Sequence, residues 1–327
     1  MRTLILLALL LLALASLLTS LASGSVSVSW QELQSVLSGE GSELARQVIL
    51  ELRWPRAVAA FTTGALLSVA GTLMQVLVRN PLADPYVLGI SGGAATGALL
   101  ALLLGLGSLG LHSAAFCGAL FSMLLVFSLS HGSGSWTTSR LLLTGVVIAS
   151  GWGAVIGFLL ALGPEQGLRG MLFWLMGDLS YASFPAFGLL VLATGLLLAI
   201  AFGRSLNVLT QGEQAASALG VSVTALHRGI YVLASLLAAT AVTLAGSIGF
   251  VGLIVPHMLR LAGVRDHRLL LPAAALLGGS LLVSADTLAR TLLAPHQLPV
   301  GVLTALVGVP LFLALLHHSH NVLGEAR

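Results

Sequence analysis

The sequence predicts an all-α, polytopic membrane protein with about ten transmembrane helices. Of its 327 residues, 57% are hydrophobic and only 8% are charged, and the mean hydropathy is +1.04. A soluble globular chain carries about 25% charged residues. Because lipid cannot satisfy backbone polar groups, apolar runs of about 20 residues indicate spanning helices. This composition excludes an ordinary soluble enzyme and a disordered protein.

Ten apolar segments are candidate spans. They lie at 3–23, 56–78, 86–106, 111–130, 141–162, 185–202, 229–247, 249–262, 269–290 and 300–317. The segment 249–262 is short for a crossing and fits a tilted or half-buried helix better. We treat residues 1–327 as one transmembrane domain with a first span at 3–23, one half at about 53–162 and a second half at about 229–317.

The arginines predict the orientation of the chain. An even number of spans puts both termini on one side, and nine of the 14 arginines fall on that side. The positive-inside rule then favours cytoplasmic N- and C-termini. A cleaved signal peptide is the alternative for the first span. However, the apolar run from Leu4 to Leu21 is longer than the hydrophobic region of a signal peptide, which usually has about 7–15 residues.

The basic residues also limit the chemistry of the chain. All 14 are arginine, so no P-loop, which requires a lysine, is present. The arginines are scattered singly, which argues against a nucleic-acid partner.

Cys117 is the only cysteine, so a disulfide framework and a cysteine metal site are excluded. His317, His318 and His320 lack the spacing of a structural zinc site, and we expect neither a metal nor a cofactor.

Two segments suggest an internal repeat. Residues 67–73 match residues 242–248 at an offset of 175, and a proline, Pro81 or Pro256, follows ten residues after the glycine of each. In the predicted topology the two segments run in opposite directions, as in transporters built from inverted repeats. Chance similarity between helices rich in Leu, Ala and Gly is the alternative.

An ordered series of motifs covers most of the chain, from about residue 53 to 312. In order, the motifs are Arg53-Trp54-Pro55-Arg56, Arg79-Asn80-Pro81-Leu82-Ala83-Asp84-Pro85, Gly89-Ile90-Ser91-Gly92-Gly93-Ala94, Thr138-Ser139-Arg140, Trp174-Leu175-Met176-Gly177, Gly212-Glu213-Gln214-Ala215-Ala216, Gly249-Phe250-Val251-Gly252-Leu253-Ile254-Val255-Pro256-His257, Asp266-His267-Arg268, Ala285-Asp286 and Leu298-Pro299-Val300-Gly301. Together they resemble the FecCD/BtuC-type permeases of ATP-binding-cassette (ABC) importers, which take up iron–siderophore, haem and cobalamin.

This resemblance implies a type II ABC importer permease in the bilayer of a bacterial inner membrane. It implies a homodimer with a second permease copy, two cytoplasmic ATPase subunits and a periplasmic substrate-binding protein. The chain would then be a transport subunit and not an enzyme, which agrees with the missing lysine. The motifs do not identify which chelate is carried.

The resemblance also assigns four groups of residues. The cytoplasmic gate would comprise Asn80, Leu82, Thr138 and Ser139; ATPase coupling, in the segment 205–224, would involve Glu213, Ala216, Leu219 and Gly220; binding-protein docking would use Arg53, Arg56 and Arg290; and Thr144, Ser150 and Trp152 would line the pathway.

Each group also has a simpler local interpretation. Asn80 can start a turn, and Thr138 or Ser139 can cap a helix. The coupling segment can be a solvated loop, and the glycines and neighbouring residues of the fifth span can serve core packing. Arginines at a membrane edge often extend to lipid phosphate or water.

The carboxylates near the predicted spans help to weigh other functions. Asp84, Asp178 and Asp286 all lie toward span ends, where Asp84 and Asp286 are expected to pair with Arg79 and Arg290, and no ring of buried charge is expected. An ion-gradient-driven secondary transporter of a bulky organic substrate is the main alternative, and it would need an ionisable residue near a span centre. A membrane enzyme would need a nucleophile–base pair or a metal site, and the sequences of the predicted spans contain neither pattern.

Overall fold

The computed structural model describes residues 2–24, 28–130, 138–180 and 182–324, and these residues form helices and connections without a β-strand. The helices are α1 (Arg2–Ala22), α2 (Trp30–Ser38), α3 (Glu43–Arg46), α4 (Trp54–Val78), α5 (Ile90–Leu103), α6 (Ser108–Ser130), α7 (Thr138–Leu162), α8 (Glu165–Leu175), α9 (Ala186–Ala201), α10 (Gly203–Leu209), α11 (Glu213–Ala218), α12 (Val223–Ala245), α13 (Val251–Leu261), α14 (His267–Thr291) and α15 (Val300–Gly324). A π-helical segment, Gln47–Arg53, leads into α4, and a 3-10 turn, Pro85–Leu88, precedes α5.

Every predicted span corresponds to a helix. By length and composition, six helices of the described residues can cross a membrane, and the pair α9 and α10, bent by 59°, makes a seventh. Three shorter apolar helices, α5, α13 and the first part of α15, account for the remaining segments. The short segment 249–262 contains the 11-residue α13, as expected. The segment 86–106 is also divided, since its helix begins only at Ile90.

The helix α4 lies at the centre of the bundle. Its spanning window is 94% buried, because other helices surround this largely apolar helix, which is rich in small residues. A Cβ atom on Gly64 would lie 2.2 Å from the carbonyl oxygen of Gly278 in α14, and one on Gly71 would lie 1.9 Å from that of Gly252 in α13. Small residues let helix backbones approach this closely. The glycine content of the sequence is therefore partly explained by the packing around α4.

The helices α4 and α12 run in opposite directions, as the predicted topology requires. Arg79, at the end of α4, contacts Glu213 shortly before α12. At the other end, Ser180 lies close to the last turn of α12, and both Ser180 and Arg56 bond to Gln297. We call the two ends of the bundle the Arg56 end and the Arg79 end; in the predicted orientation the first is external and the second cytoplasmic.

Two half-length helices begin inside the bundle. Gly252, at the start of α13, lies against the carbonyl oxygen of Leu67 in the middle of α4 and against Pro85, just before α5. From there α13 runs to the Arg79 end and α5 to the Arg56 end. Discontinuous helices of opposite direction are typical of inverted-repeat transporters. The matched sequences are not equivalent, however, since 67–73 lies within α4 whereas 242–248 runs past the end of α12.

The C-terminal histidines fall in the last turns of α15. His317 is exposed, and the side chains of His318 and His320 lie outside the described part of the structure.

Candidate docking, gate and coupling sites

A cluster of charged side chains is buried at the Arg56 end. Arg56 donates from Nε and Nη2 to the carboxylate of Asp286 at 2.8 to 3.1 Å, and from Nη1 to Oε1 of Gln297 at 2.8 Å. Asp286 is only 1% exposed. A guanidinium that contacts a carboxylate through two nitrogens forms a strong and directional ion pair. This pair joins α4 to α14.

Two further arginines attach the end of α1 to α4 and α14 beside the pair of Arg56 and Asp286. Arg53 Nη1 donates to the carbonyl oxygens of Leu21 and Ala22 at 2.7 and 3.0 Å. Arg290 Nη2 donates to the hydroxyl of Ser20 at 2.7 Å and to the carbonyl oxygen of the same residue. Cations are favoured at a helix C-terminus by the helix dipole. The predicted docking arginines are thus buried and bonded internally.

We name Arg53, Arg56, Asp286 and Arg290 the arginine cluster. Beside it lies a cavity of about 390 Å³, which is also lined by Glu51 and Gln297 among others. The cluster holds three arginines and one aspartate, and with Glu51 in the lining of the cavity three positive charges stand against two negative ones, an excess of one positive charge. The structure therefore brings the three predicted docking residues together, but within the protein end and not on an open rim.

The predicted pairing of Asp84 with Arg79 is wrong. Arg79 Nη2 instead contacts Glu213 Oε1 at 2.9 Å, and both side chains are nearly half exposed. Asp84 Oδ1 accepts a hydrogen bond from the amide of Tyr86 at 2.8 Å and so caps the 3-10 turn. The physical reason is local, because an aspartate carboxylate accepts readily from the amide two residues ahead, and the Tyr86 amide has no other partner in the first turn.

The prediction for Asp286 is correct only in part. Arg290 Nε lies 3.7 Å from Asp286, whereas Arg56 is the closer partner at 2.8 Å. The sequence analysis expects no ring of buried charge, and it does not predict the buried pair that Arg56 and Asp286 form at one end of the bundle. Arg56 and Asp286 are 230 residues apart in sequence, and only the packing of α4 against α14 brings them together.

The coupling segment 205–224 holds α11 and most of α10. Ala216 is fully buried and anchors α11, while Leu219 is 71% exposed. Glu213 opens α11 and pairs with Arg79. Gly220 adopts a φ of +79°, and no atom lies within 4 Å of the position that a Cβ would take. The segment is thus an anchored helical turn that presents Leu219 outward, which is more ordered than a solvated loop.

A polar contact missed by the sequence predictions attaches α10 to α14. Asn207 Nδ2 donates to Asp266 Oδ1 at 2.9 Å, and Asn207 Oδ1 accepts from the amide and Nδ1 of His267 at 2.9 and 2.7 Å. Asp266 is also the N-cap of α14 and accepts from the amide of Arg268 at 3.1 Å. An aspartate just before an apolar run is an N-cap signal, but nothing in the sequence identifies Asn207 as its partner. We name Asn207, Asp266 and His267 the Asn207 clamp.

The predicted gate residues lie in the turn that follows α4 and in the first turn of α7. Asn80 Oδ1 accepts from the amide of Leu82 at 2.9 Å, so the turn interpretation of Asn80 is confirmed. Leu82 is 39% exposed. Thr138 and Ser139 form the first turn of α7, so Ser139 is not the N-cap; Ser139 is exposed, and the side chain of Thr138 lies outside the described part of the structure.

The predicted pathway residues lie on the least covered long helix, α7, whose spanning window is 11% buried. Ser150 is exposed and Thr144 is half-buried. Trp152 turns inward: its Nε1 donates to Ser122 Oγ at 2.8 Å, and Ser122 Oγ donates to the carbonyl oxygen of Gly89 at 2.8 Å. This chain of bonds holds α7 to α6 and to the turn that starts α5.

Comparison with known proteins identifies the family. The model of the FecCD transport family matches residues 10–318. The chain belongs to the FecCD transport family. FecCD relatives include the cobalamin import system permease protein BtuC of Halobacterium salinarum, 42% identical over 84% of this chain and 74% of the relative. The hemin transport system permease protein HmuU of Yersinia pestis is 40% identical over 90% of this chain and 89% of the relative.

Solved structures agree with the FecCD assignment. A structure described as the inward-facing conformation of a metal-chelate type ABC transporter superposes with a TM-score of 0.85, at 31% identity, over 97% of this chain and 99% of that chain. PsaBC from Streptococcus pneumoniae, with a TM-score of 0.57 and 18% identity over 87% of this chain and 94% of that chain, shares the fold. This FecCD chain is therefore a multi-pass membrane protein of the ABC importer permease class.

Proposed function

We propose that this chain is the permease subunit that moves a metal chelate, an iron–siderophore, haem or cobalamin, from a periplasmic binding protein into the cytoplasm. It acts as a homodimer with two cytoplasmic ATPase subunits in a bacterial inner membrane, with both termini cytoplasmic. The observation that carries the proposal is the arrangement of α4 and α14, which join a buried positive cluster at one end to the coupling segment at the other.

The arginine cluster supports docking of an acidic surface. Its excess of positive charge adjoins a cavity that opens at the Arg56 end. Arginine presents a planar fork that suits carboxylates, and positive charge steers an acidic partner toward the site. Because Arg53, Arg56 and Arg290 already hold α1, α4 and α14 together, a docked carboxylate would act on three helices at once.

The uncovered face of α7 supports a pathway between two copies. Gly151, Gly153 and Gly157 have no atom within 4 Å of a Cβ position, and Ser150 is exposed beside them. Such a face of small residues permits close approach of a second copy or passage of a bulky ligand. Thr144, Ser150 and the gate residues Asn80, Leu82, Thr138 and Ser139 then border the route.

Uptake into proteoliposomes tests the proposal. The permease, its ATPase subunits and its binding protein are reconstituted, and accumulation of cobalamin, haem and a ferric siderophore is measured with ATP inside. We expect one chelate to accumulate only with ATP and binding protein, and an ATPase whose P-loop lysine is replaced serves as the control. Accumulation driven by a proton gradient without the ATPase would instead establish the secondary-transporter alternative.

A further inference from the structure

The helix α14 connects the two candidate partner sites. Its first residues belong to the Asn207 clamp at the Arg79 end, and its last turns hold Asp286 and Arg290 of the arginine cluster. At 1.5 Å per residue, His267 and Asp286 are about 28 Å apart along the helix axis. A displacement of one end of α14 therefore reaches the other end of the bundle.

The helix α14 packs tightly against α4. Gly278 lies so close to α4 that a Cβ there would be 1.8 Å from Ser68 Oγ and 2.6 Å from the carbonyl oxygen of Gly64. The same two helices are joined by the buried pair of Arg56 and Asp286. Packing without gaps leaves no room for sliding, so α4 and α14 form one rigid pair.

Among the described residues, two side-chain polar contacts join this rigid pair to the coupling segment, and they differ in strength. The pair of Arg79 and Glu213 is exposed, with side chains 46% and 44% accessible, and exposed ion pairs contribute little. The Asn207 clamp is largely shielded, since His267 is only 4% exposed. The carboxylate of Asp266 can only accept, so it fixes the amide of Asn207 with Nδ2 toward Asp266 and Oδ1 toward His267.

We propose that Asn207 is a positioning residue that couples the coupling segment to α14, and that the α4–α14 pair transmits binding-protein docking at the arginine cluster to the ATPase. This inference rests on the proposed function. Docking displaces the rigid pair, the Asn207 clamp carries α10 with it, and α11 moves with α10. Without the clamp, the ATPase still binds and hydrolyses ATP but no longer responds to docking.

The clamp can be broken and restored by exchanging its two polar side chains. Asn207→Asp places a carboxylate against that of Asp266, which repels it. Adding Asp266→Asn restores the bonds of position 207, because its new carboxylate accepts from His267 and from the new amide NH2 at position 266. The cap on the Arg268 amide is lost, since Asp266 Oδ1 makes both contacts in the natural protein. Asp266→Asn alone keeps both acceptor roles of position 266 and serves as the matched control.

The measurement is ATP hydrolysis by the permease–ATPase complex in lipid nanodiscs, with and without binding protein. We expect Asn207→Asp to lower the stimulation by binding protein about tenfold while basal hydrolysis is retained. The double variant and the Asp266→Asn control should respond like the natural protein. The melting temperature and the yield of assembled complex are recorded for each variant.

The outcomes separate the inference from simpler explanations. If Asn207→Asp lowers basal and stimulated hydrolysis in parallel, Asn207 has only a structural role and the inference is overturned. If stimulation survives in Asn207→Asp, or is not restored in the double variant, the clamp does not transmit docking. If the natural complex shows no ATP hydrolysis or no stimulation, the proposed function itself fails, whatever the variants do.

Discussion

At the scale of single residues, burial decides what each charged side chain contributes. Asp286 is 1% exposed and held by Arg56, whereas Glu213 is paired with Arg79 in near-solvent surroundings. Removing one partner of a buried pair leaves an uncompensated charge, at a cost of about 3–5 kcal/mol. Breaking an exposed pair costs about 0–1 kcal/mol.

We therefore expect Asp286→Asn to destabilise the protein far more than Glu213→Gln. The first variant leaves the buried guanidinium of Arg56 without its countercharge, and the second leaves both groups in water. Thermal unfolding of the detergent-solubilised permease measures the difference. Equal melting temperatures for the two variants would contradict the burial of the arginine cluster.

At the scale of elements, close contacts between glycines explain why α4 can be surrounded. The sequence predicts a span at 56–78 from its apolar character alone, and α4 confirms it. It does not predict that Gly64 faces Gly278, because a helix that is largely apolar on every side shows no pattern that indicates which side meets which neighbour. The division of the segment 86–106 was not predicted, since an apolar run continues across a break that Pro85 marks only weakly, whereas the shortness of 249–262 already favoured a half-length α13.

Gly64→Ala tests the contact between α4 and α14. The added Cβ would lie 2.2 Å from the carbonyl oxygen of Gly278, and such overpacking costs about 1–3 kcal/mol. Gly229→Ala in α12 is the matched control, because a Cβ there meets open space while the helix propensity gain is the same. We expect the melting temperature to fall for Gly64→Ala and not for Gly229→Ala. A rise of the melting temperature in both variants would contradict the close approach of α4 and α14 at Gly64.

At the scale of the whole molecule, the positions of the arginines predict the orientation of the bundle. The Arg79 end carries Arg204, Arg228, Arg265 and Arg268 in its connections and helix ends, in addition to Arg79. By the positive-inside rule we expect this end to face the cytoplasm and the Arg56 end with α2 to face outward. Both partner sites of the proposed importer depend on this orientation.

Cysteine labelling tests the orientation. In a Cys117→Ser background, Arg265→Cys should react with a membrane-impermeant maleimide only after the inner membrane is permeabilised, because the reagent then reaches the cytoplasmic face. Glu40→Cys, in the exposed turn after α2, should react in intact cells with the outer membrane permeabilised. The reverse pattern would show that the bundle is inserted the other way.

The sequence by itself determined the membrane class, the ten helical segments and the family, because apolar runs and ordered motifs are local properties of the chain. The predicted topology also placed the three arginines expected to dock the binding protein, Arg53, Arg56 and Arg290, at one end of the bundle. Only the tertiary structure decided which charges pair and where the segment 86–106 breaks. The pairs of Arg56 with Asp286 and of Asn207 with Asp266 join residues far apart in sequence, and such partners are selected by the packing of α4, α10 and α14, which no local pattern encodes.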